Sequence, residues 1–467
     1  MGGWVIDYLL QRGEEPTNIR VIDFAPTPVN YVVSDAISLG LQYVRADITD
    51  AKAVSSAFGQ PWPDRPNHIS DGITVIHNAA AIRFFERHTI FLPRSTAVNV
   101  DGLRNCLEAA KAIGVDIFIL TSSASVAVRP RRLLLWPWEK EPKGWVQIID
   151  DSTKDPETHE ECFSNYAASK LIGERLVLNA DGSPVAGGKI MRTGSIRPAN
   201  GVYGPRGDIV IEAYLVRKSN PTWVQNCYSN FCSVENAVLA HLLYERRLLD
   251  LVEQDKMLRH DSPLDNPARP RLPDIGGQSF IVSDPGRIGT FGDNYAILQQ
   301  VTGGECHFIN ISPTLMFILA HIHQLYNINQ YRLISFLQQT SWLAWLVPLV
   351  STIFPTVTGD GINLQPSLFY LTSAQLFFDD SRARKSPEQG GLGYEGLYST
   401  PEGVLRTVDE FYHGRRAVNG KGMSAGLSLE FLKPKGTKRN AVVKIPRKAG
   451  RVVNREDELP VAPVEVL

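Results

Sequence analysis

Four short apolar runs, at residues 19–24, 43–46, 74–77 and 117–121, are separated from one another by enough chain for a helix. Runs of this length and composition read as strands buried on both faces, and their alternation with helical stretches predicts an α/β fold around a parallel sheet. Helical periodicity is expected at 4–10, 98–113 and 166–179, so the chain opens on a helix, and 189–192 reads as a further strand. Beyond about residue 200 the pattern loosens into mixed helices and loops. No internal repeat is visible. Prolines 263, 267, 270 and 273 mark a surface loop.

With 48 basic and 49 acidic side chains the net charge is -1, so no overall field favours nucleic acid. The five cysteines, at 106, 162, 227, 232 and 306, are irregularly spaced, which argues against a disulfide framework and against a zinc site; no metal is expected. Residues 1–20 lack the basic start and apolar run of a signal peptide, so the expected setting is cytoplasmic or the cytoplasmic face of a membrane. Residues 333–359 carry no charge, but Gln338, Gln339 and Pro348 interrupt them. An interfacial or re-entrant segment is therefore favoured over a straight span, with a buried helix pair lining a pocket as the alternative. From Arg415 to Arg455 there are twelve Lys/Arg and one acid, Glu430, and this tail is expected to be disordered.

Dinucleotide folds seat a pyrophosphate at the N-terminus of the helix after the first strand, where glycines admit the backbone to the anion. Here Gly2 and Gly3 precede the first helix. About twenty residues on, Asp23 ends the next strand, where an acid accepts hydrogen bonds from a ribose; alone it reads equally well as a strand-end turn residue. Tyr166 and Lys170 stand four apart on one helix face, so that a cation adjoins a phenol and favours its ionised form. Chance produces such pairs as solvated helix faces, so the motif gains weight only from its context. That context is the hydroxyl run Thr121-Ser122-Ser123-Ala124-Ser125-Val126 at a strand end, where open α/β sheets meet their ligands.

Taken in order, these segments resemble the extended short-chain dehydrogenases. Gly2-Gly3-Trp4-Val5-Ile6-Asp7-Tyr8-Leu9-Leu10 is similar to the end of the glycine motif and its helix. Ala46-Asp47-Ile48-Thr49-Asp50 is similar to the adenine-contacting segment, and Val75-Ile76-His77-Asn78-Ala79-Ala80-Ala81 to the strand and loop along the cofactor. Asn99 matches a structural asparagine. The resemblance implies a doubly wound Rossmann-type sheet and NAD as cofactor, held by Gly2, Asp23, Asp47, Ile48, Ala79, Ala80, Tyr166, Lys170 and Pro198. It also implies a catalytic set of Ser123, Tyr166 and Lys170, with Ser123 polarising the substrate oxygen. Ser122 and Ser125 are expected to be satisfied locally.

Arg197-Pro198 with Val202-Tyr203-Gly204-Pro205, then Phe231-Cys232-Ser233-Val234-Glu235-Asn236-Ala237 and His241, resemble the 3β-hydroxysteroid dehydrogenase branch and its sterol-4α-carboxylate 3-dehydrogenase relatives. Ala383-Arg384, Leu392-Gly393-Tyr394 and Pro401-Glu402-Gly403 carry that resemblance to about residue 412. His241 itself is expected to be structural. The insertion between Ser123 and Tyr166, with Trp136, Trp138 and Trp145, is either an apolar lid or a packed surface loop.

The resulting expectation is an NAD-binding and catalytic region over 1–200, a substrate-binding region over 201–412 and a basic tail over 413–467. The implied reaction is NAD-dependent oxidation of a secondary 3β-type alcohol on a sterol, steroid or terpenoid ring, with decarboxylation or isomerisation as possible companions. The cytoplasmic face of the endoplasmic reticulum, peripheral membrane contact and a homodimer complete the expected setting. A nucleotide-sugar epimerase or dehydratase shares the same motifs and is the alternative. The doubly wound fold also calls for a strand and a Gly-x-x-Gly loop ahead of Gly2, so about a dozen further N-terminal residues are expected. A catalytically impaired truncated homologue is the corresponding alternative.

Overall fold

The computed structural model describes residues 1–62, 72–131, 137–138, 144–260, 271–357 and 359–414. Most of the expected proline loop at 263–273 and all but the first residues of the expected tail at 413–467 lie outside these. The chain opens on α1 (Gly2–Gln11) and alternates through β1 (Arg20–Asp23), α2 (Tyr31–Ile37), β2 (Gln42–Arg45), α3 (Ala51–Phe58) and β3 (Thr74–His77). A long helix follows, formed by α4 (Leu92–Thr96), a π turn (Ala97–Gly102) and α5 (Leu103–Ile113). Then come β4 (Ile117–Thr121), β5 (Val146–Ile149), α6 (Asn165–Leu178), β6 (Ser183–Val185) and β7 (Lys189–Pro198).

The remaining elements are β8 (Val202–Tyr203), α7 (Ile211–Arg217), β9 (Ser219–Thr222), β10 (Cys232–Ser233), α8 (Val234–His260), β11 (Gln278–Val282), α9 (Phe291–Val301) and β12 (His307–Asn310). After them lie α10 (Pro313–Gln339), α11 (Val347–Ile353), α12 (Pro366–Thr372), β13 (Gln375–Phe378), α13 (Ser381–Arg384) and α14 (Thr400–His413). The main sheet runs β11-β7-β4-β3, all parallel, with β6 antiparallel on β7. β1 and β2 pair in parallel as a separate ribbon. Among the described residues no strand lies between that ribbon and β3. β11, from the part of the chain past residue 200, completes the main sheet.

Alternation along β4 divides the core. Ile117 and Ile119 pack with Ala240, Tyr244 and Leu248 of α8 on one side. Phe118 and Leu120 pack with Val54, Leu103, Leu107 and Val177 of α3, α5 and α6 on the other. All four strand residues are buried, which is why the run reads as continuously apolar rather than alternating. β7 is longer than the expected 189–192, because Gly194, Ser195 and Arg197 break its apolar pattern while staying buried. The five cysteines are free and buried.

Two close approaches between elements depend on glycine, one of helix to sheet and one of helix to helix. A Cβ on Gly194 would run into the Tyr244 ring of α8. On Gly173 of α6 it would collide with the Asn99 carbonyl oxygen in the π turn and lie 2.9 Å from Leu103. Asn99 uses the turn to reach in two directions: its amide exchanges hydrogen bonds with the Ala81 backbone at 2.7 and 3.1 Å and donates to Ser169 Oγ at 2.9 Å.

The uncharged segment forms the end of α10, a short 3₁₀ turn and α11, and no helix among the described residues is long and apolar enough to cross a membrane. The outer surface of α10 and of the turns that follow it is nonetheless apolar, with Leu315, Ile318, Ile322, Leu325, Phe336, Trp342, Trp345 and Leu349 exposed. Of the insertion's tryptophans, Trp136 lies outside the described residues. Trp138 is exposed, and Trp145 lies under the Arg131 guanidinium at 4.4 Å.

Gly173→Ala is expected to destabilise the fold by about 1–3 kcal/mol, the usual result of overpacking, and to slow turnover by shifting α6. Denaturant titration and steady-state kinetics of the variant check both.

Candidate active site

The parallel strands deliver the site residues to their C-terminal ends. Asp23 ends β1, Asp47 follows β2, Ala79 and Ala80 follow β3, Ser123 follows β4 and Pro198 ends β7. Contacts knit these loops together. Ile48 lies so close to Gly102 that a Cβ there would come within 2.7 Å of it, and Asn105 Nδ2 donates to the Ile48 carbonyl at 2.9 Å. At the start of α1, the Gly3 backbone lies against the side chain of Asn30, the residue that caps α2 just after Asp23.

α6 starts where it does because Ser164 accepts a hydrogen bond from Ala167 N at 3.2 Å. Asn165 ties the same turn to the loop after β3, donating from its backbone to Glu86 O at 2.8 Å and from Nδ2 to His88 O at 3.0 Å. Tyr166 and Lys170 follow on one face, a turn apart. The Tyr166 ring is partly buried among Phe163, Ala124 and neighbouring core residues. Burial pushes its phenol up to about 12, opposed by a hydrogen bond with the Ser123 side chain. Ser123 caps a short 3₁₀ turn, Ala124–Ala127, accepting from Ser125 N at 3.3 Å and meeting Ser125 Oγ at 2.8 Å. Ser122 is buried beside Glu174. The structure thus brings Ser123, Tyr166 and Lys170 together.

Lys170 is buried, and its ammonium donates to the Thr121 carbonyl at 2.5 Å. Burial lowers it to about 8, with the nearby Glu174 opposing that loss of charge. Glu174 is in turn held by Arg197, with Nη2 to Oε2 at 2.5 Å, and by Ser195 Oγ at 2.5 Å; Arg197 also reaches Asp155 at 3.0 Å. Burial works against the Glu174 charge, but these donors outweigh it and leave the carboxyl below its usual range. Sequence reasoning saw Arg197 only as part of a loop motif and did not see Glu174. Their partnership spans two elements and has no local signature. Likewise His241, expected to be structural, places Nε2 2.8 Å from Thr121 Oγ1 directly behind the Lys170 anchor.

The cofactor edge fits a dinucleotide. The first turn of α1 has no side-chain cap, and a Cβ at Gly2 would meet nothing within 4 Å, so backbone N–H groups there are open to an anion. Asp23 is exposed and uses Oδ1 for the Ala25 N–H, leaving Oδ2 as an acceptor for a ribose hydroxyl. The Thr49 backbone and hydroxyl, both bonded to Asp47, hold its carboxyl below the usual range and fix the loop carrying Ile48.

Comparison with known proteins agrees with this arrangement. Two Arabidopsis thaliana proteins, 3beta-hydroxysteroid-dehydrogenase/decarboxylase isoforms 1 and 2, are each 26% identical over 85% of this chain. The match covers 74% of the first, while the chain spans a little over half (57%) of the second. Among solved structures, UDP-glucose 4-epimerase from Thermotoga maritima, with UDP-glucose, matches at TM-score 0.51 and 16% identity, covering 88% of this chain and 95% of that one. The Stenotrophomonas maltophila UDP-glucose-4-epimerase, with bound NAD, matches at TM-score 0.52 and 13% identity over 88% and 94%. These structures share the fold. The model of the 3-beta hydroxysteroid dehydrogenase/isomerase family matches residues 1–260, and the chain belongs to that family of NAD-dependent, extended short-chain dehydrogenases.

Proposed function

We propose that the protein oxidises a secondary, 3β-type alcohol on a sterol, steroid or terpenoid ring. The observation that carries this reading is the convergence of Ser123, Tyr166 and Lys170 at the end of β4 in a chain of this family. NAD, when bound, supplies the hydride acceptor. Gly2, Asp23, Asp47, Ile48, Ala79, Ala80 and Pro198 hold it, together with Tyr166 and Lys170. Tyr166 takes the hydroxyl proton, Ser123 donates to the substrate oxygen and fixes its distance from the phenol, and the Lys170 cation favours phenolate. If the substrate carries a carboxylate beside the new ketone, loss of carbon dioxide needs no further side chain. The two Arabidopsis relatives bear a dehydrogenase/decarboxylase name, which supports this order of events.

A nucleotide-sugar epimerase would use the same cofactor half, and the structural neighbours fit that alternative. The apolar α10 and α11 region favours a lipid-like ring over a sugar nucleotide. The same region supports peripheral attachment to a membrane, at the cytoplasmic face of the endoplasmic reticulum. From Pro313 to Thr358 the single charged residue is Arg332, and the exposed Trp342 and Trp345 suit the headgroup boundary.

The test is to follow NADH absorbance with 3β-hydroxysterols, sterol carboxylic acids and nucleotide sugars. Oxidation of the ring alcohols is expected, with NAD strongly preferred over NADP because Asp23 repels a 2′-phosphate; turnover of sugar nucleotides alone would select the alternative. Tyr166→Phe should abolish turnover while leaving NAD affinity nearly intact, and Lys170→Ala should lose both. Because burial holds the Tyr166 phenol protonated, oxidation should speed up as pH rises from about 6 toward 8 and level off or fall above that, where Lys170, lowered to about 8, loses the charge that favours phenolate.

For the membrane reading, Trp342→Glu with Trp345→Glu should release the protein from vesicles that retain the parent. Equal retention of both would leave α10 and α11 as walls of the pocket instead.

A further inference from the structure

Behind the catalytic lysine lies a cluster of side chains that the reaction as described does not use. The Lys170 ammonium rests on the main-chain oxygen of Thr121, the last residue of β4. The Thr121 hydroxyl faces His241 Nε2 of α8 at 2.8 Å and the side-chain amide of Asn78, just past β3. On its other side, His241 Nδ1 lies 2.7 Å from the Ala237 carbonyl, one turn back in α8.

Proton counting fixes the direction of this chain. A carbonyl oxygen can only accept, so His241 Nδ1 carries a hydrogen and donates to Ala237 O. His241 is fully buried, and burial, helped by the nearby Lys170 cation, keeps the ring neutral. Nε2 is therefore a bare acceptor, and the single Thr121 hydroxyl proton goes to it. The Thr121 oxygen can then only accept from Asn78. This requires the Asn78 amide to present its NH2 to Thr121, an orientation that a half-turn of the amide about its Cβ–Cγ bond supplies. The run is Asn78 N–H to Thr121 O–H to His241 Nε2, ending with His241 N–H on Ala237 O. Every partner in it is satisfied.

We propose that His241 is a positioning residue for Lys170. By accepting from Thr121 it pins the end of β4 to α8, with Asn78 bracing the same hydroxyl from β3, so that the Thr121 carbonyl stands at a fixed place beneath the ammonium. Among the described residues the Lys170 ammonium has one hydrogen-bond acceptor for its three N–H groups, and the place of that acceptor decides where the others point. The fully buried His241 thus acts on the site through Thr121 and touches no reacting atom.

The proposal rests on Lys170 tuning Tyr166, and its test is chosen to stand apart from the identity of the substrate. The full chain, labelled with 15N-histidine and with 13C at lysine Cε, is titrated by NMR. His241 should remain the neutral Nδ1–H form from about pH 6 to 9, with Nε2 showing the shift of a hydrogen-bonded acceptor. In Thr121→Val the Nε2 signal should move to that of an unbonded imine nitrogen, and the Lys170 midpoint should shift by about half a unit or more. Thr121→Ser should restore both. With an alcohol found by the screen above, the pH of half-maximal oxidation should move with Lys170, whereas a purely structural loss would lower stability without moving it. An Nε2–H tautomer of His241, or a Lys170 midpoint unmoved in Thr121→Val, overturns the proposal. Should Thr121→Val not fold, Asn78→Ala removes the other brace at a partly exposed position: His241 Nε2 should keep its bonded signal while the Lys170 midpoint moves, and an unmoved midpoint overturns the proposal.

Discussion

An ion pair closed off from water, Glu174 against Arg197, joins the helix that carries Tyr166 and Lys170 to the strand that ends at Pro198. Two buried charges are costly to desolvate, and only close, multiply bonded geometry offsets that cost. Here the guanidinium meets the carboxylate through both Nε and Nη2, and Ser195 supplies another donor. Such a pair tolerates little sliding, because each displacement leaves a charge without its partner. The relative placement of α6 and β7 is therefore set by electrostatics, whereas hydrophobic packing alone would accept small shifts. The proposed acid/base Tyr166 and the proposed cofactor contact Pro198 share that restraint.

Much of the cofactor half was legible in the sequence because its signals are local. Residues 74–77 and 117–121 are strands at the limits their apolar runs suggest, and the helix over 166–179 begins one residue early at its serine cap. Hydrophobic runs and caps involve neighbours in the chain, so a single sequence contains them. β7 was underestimated because Ser195 and Arg197 look like surface residues until Glu174 is placed opposite them. The His241 to Thr121 contact, across 120 positions, was invisible for the same reason. The pairing of β5 with β13 gave no warning either, since β5 has exposed hydrophobic residues, Val146 and Ile148, with no turn signal linking it to a partner.

The fold itself says little about the ring system oxidised. Epimerases that act on sugar nucleotides share the architecture, because one scaffold can carry many chemistries and the cofactor end is common to them. Discrimination rests on the parts that vary. α10 turns an apolar outer surface to solvent while its inner side meets the site region, where Tyr331 packs on Phe91 and under Arg94. A single helix thus connects the outside of the molecule with the loop that braces the start of α6.

The π turn at Ala97–Gly102 has a bearing on how this protein can change over time. It holds more residues than a regular helical turn of the same rise, and Asn99 reaches both Ala81 and Ser169 only because of that surplus. Deleting one residue there would let the helix relax to ordinary α geometry. The turns on either side would stay nearly in phase, because the surplus residue is what the wide turn absorbs, but Asn99 would lose the position from which it meets Ala81 and Ser169. Substitutions within the turn can be absorbed singly, but changes of length cannot. Lineages of this chain should therefore gain and lose residues in the surface connections while the distance along the sequence from β3 to β4 in this helix stays constant.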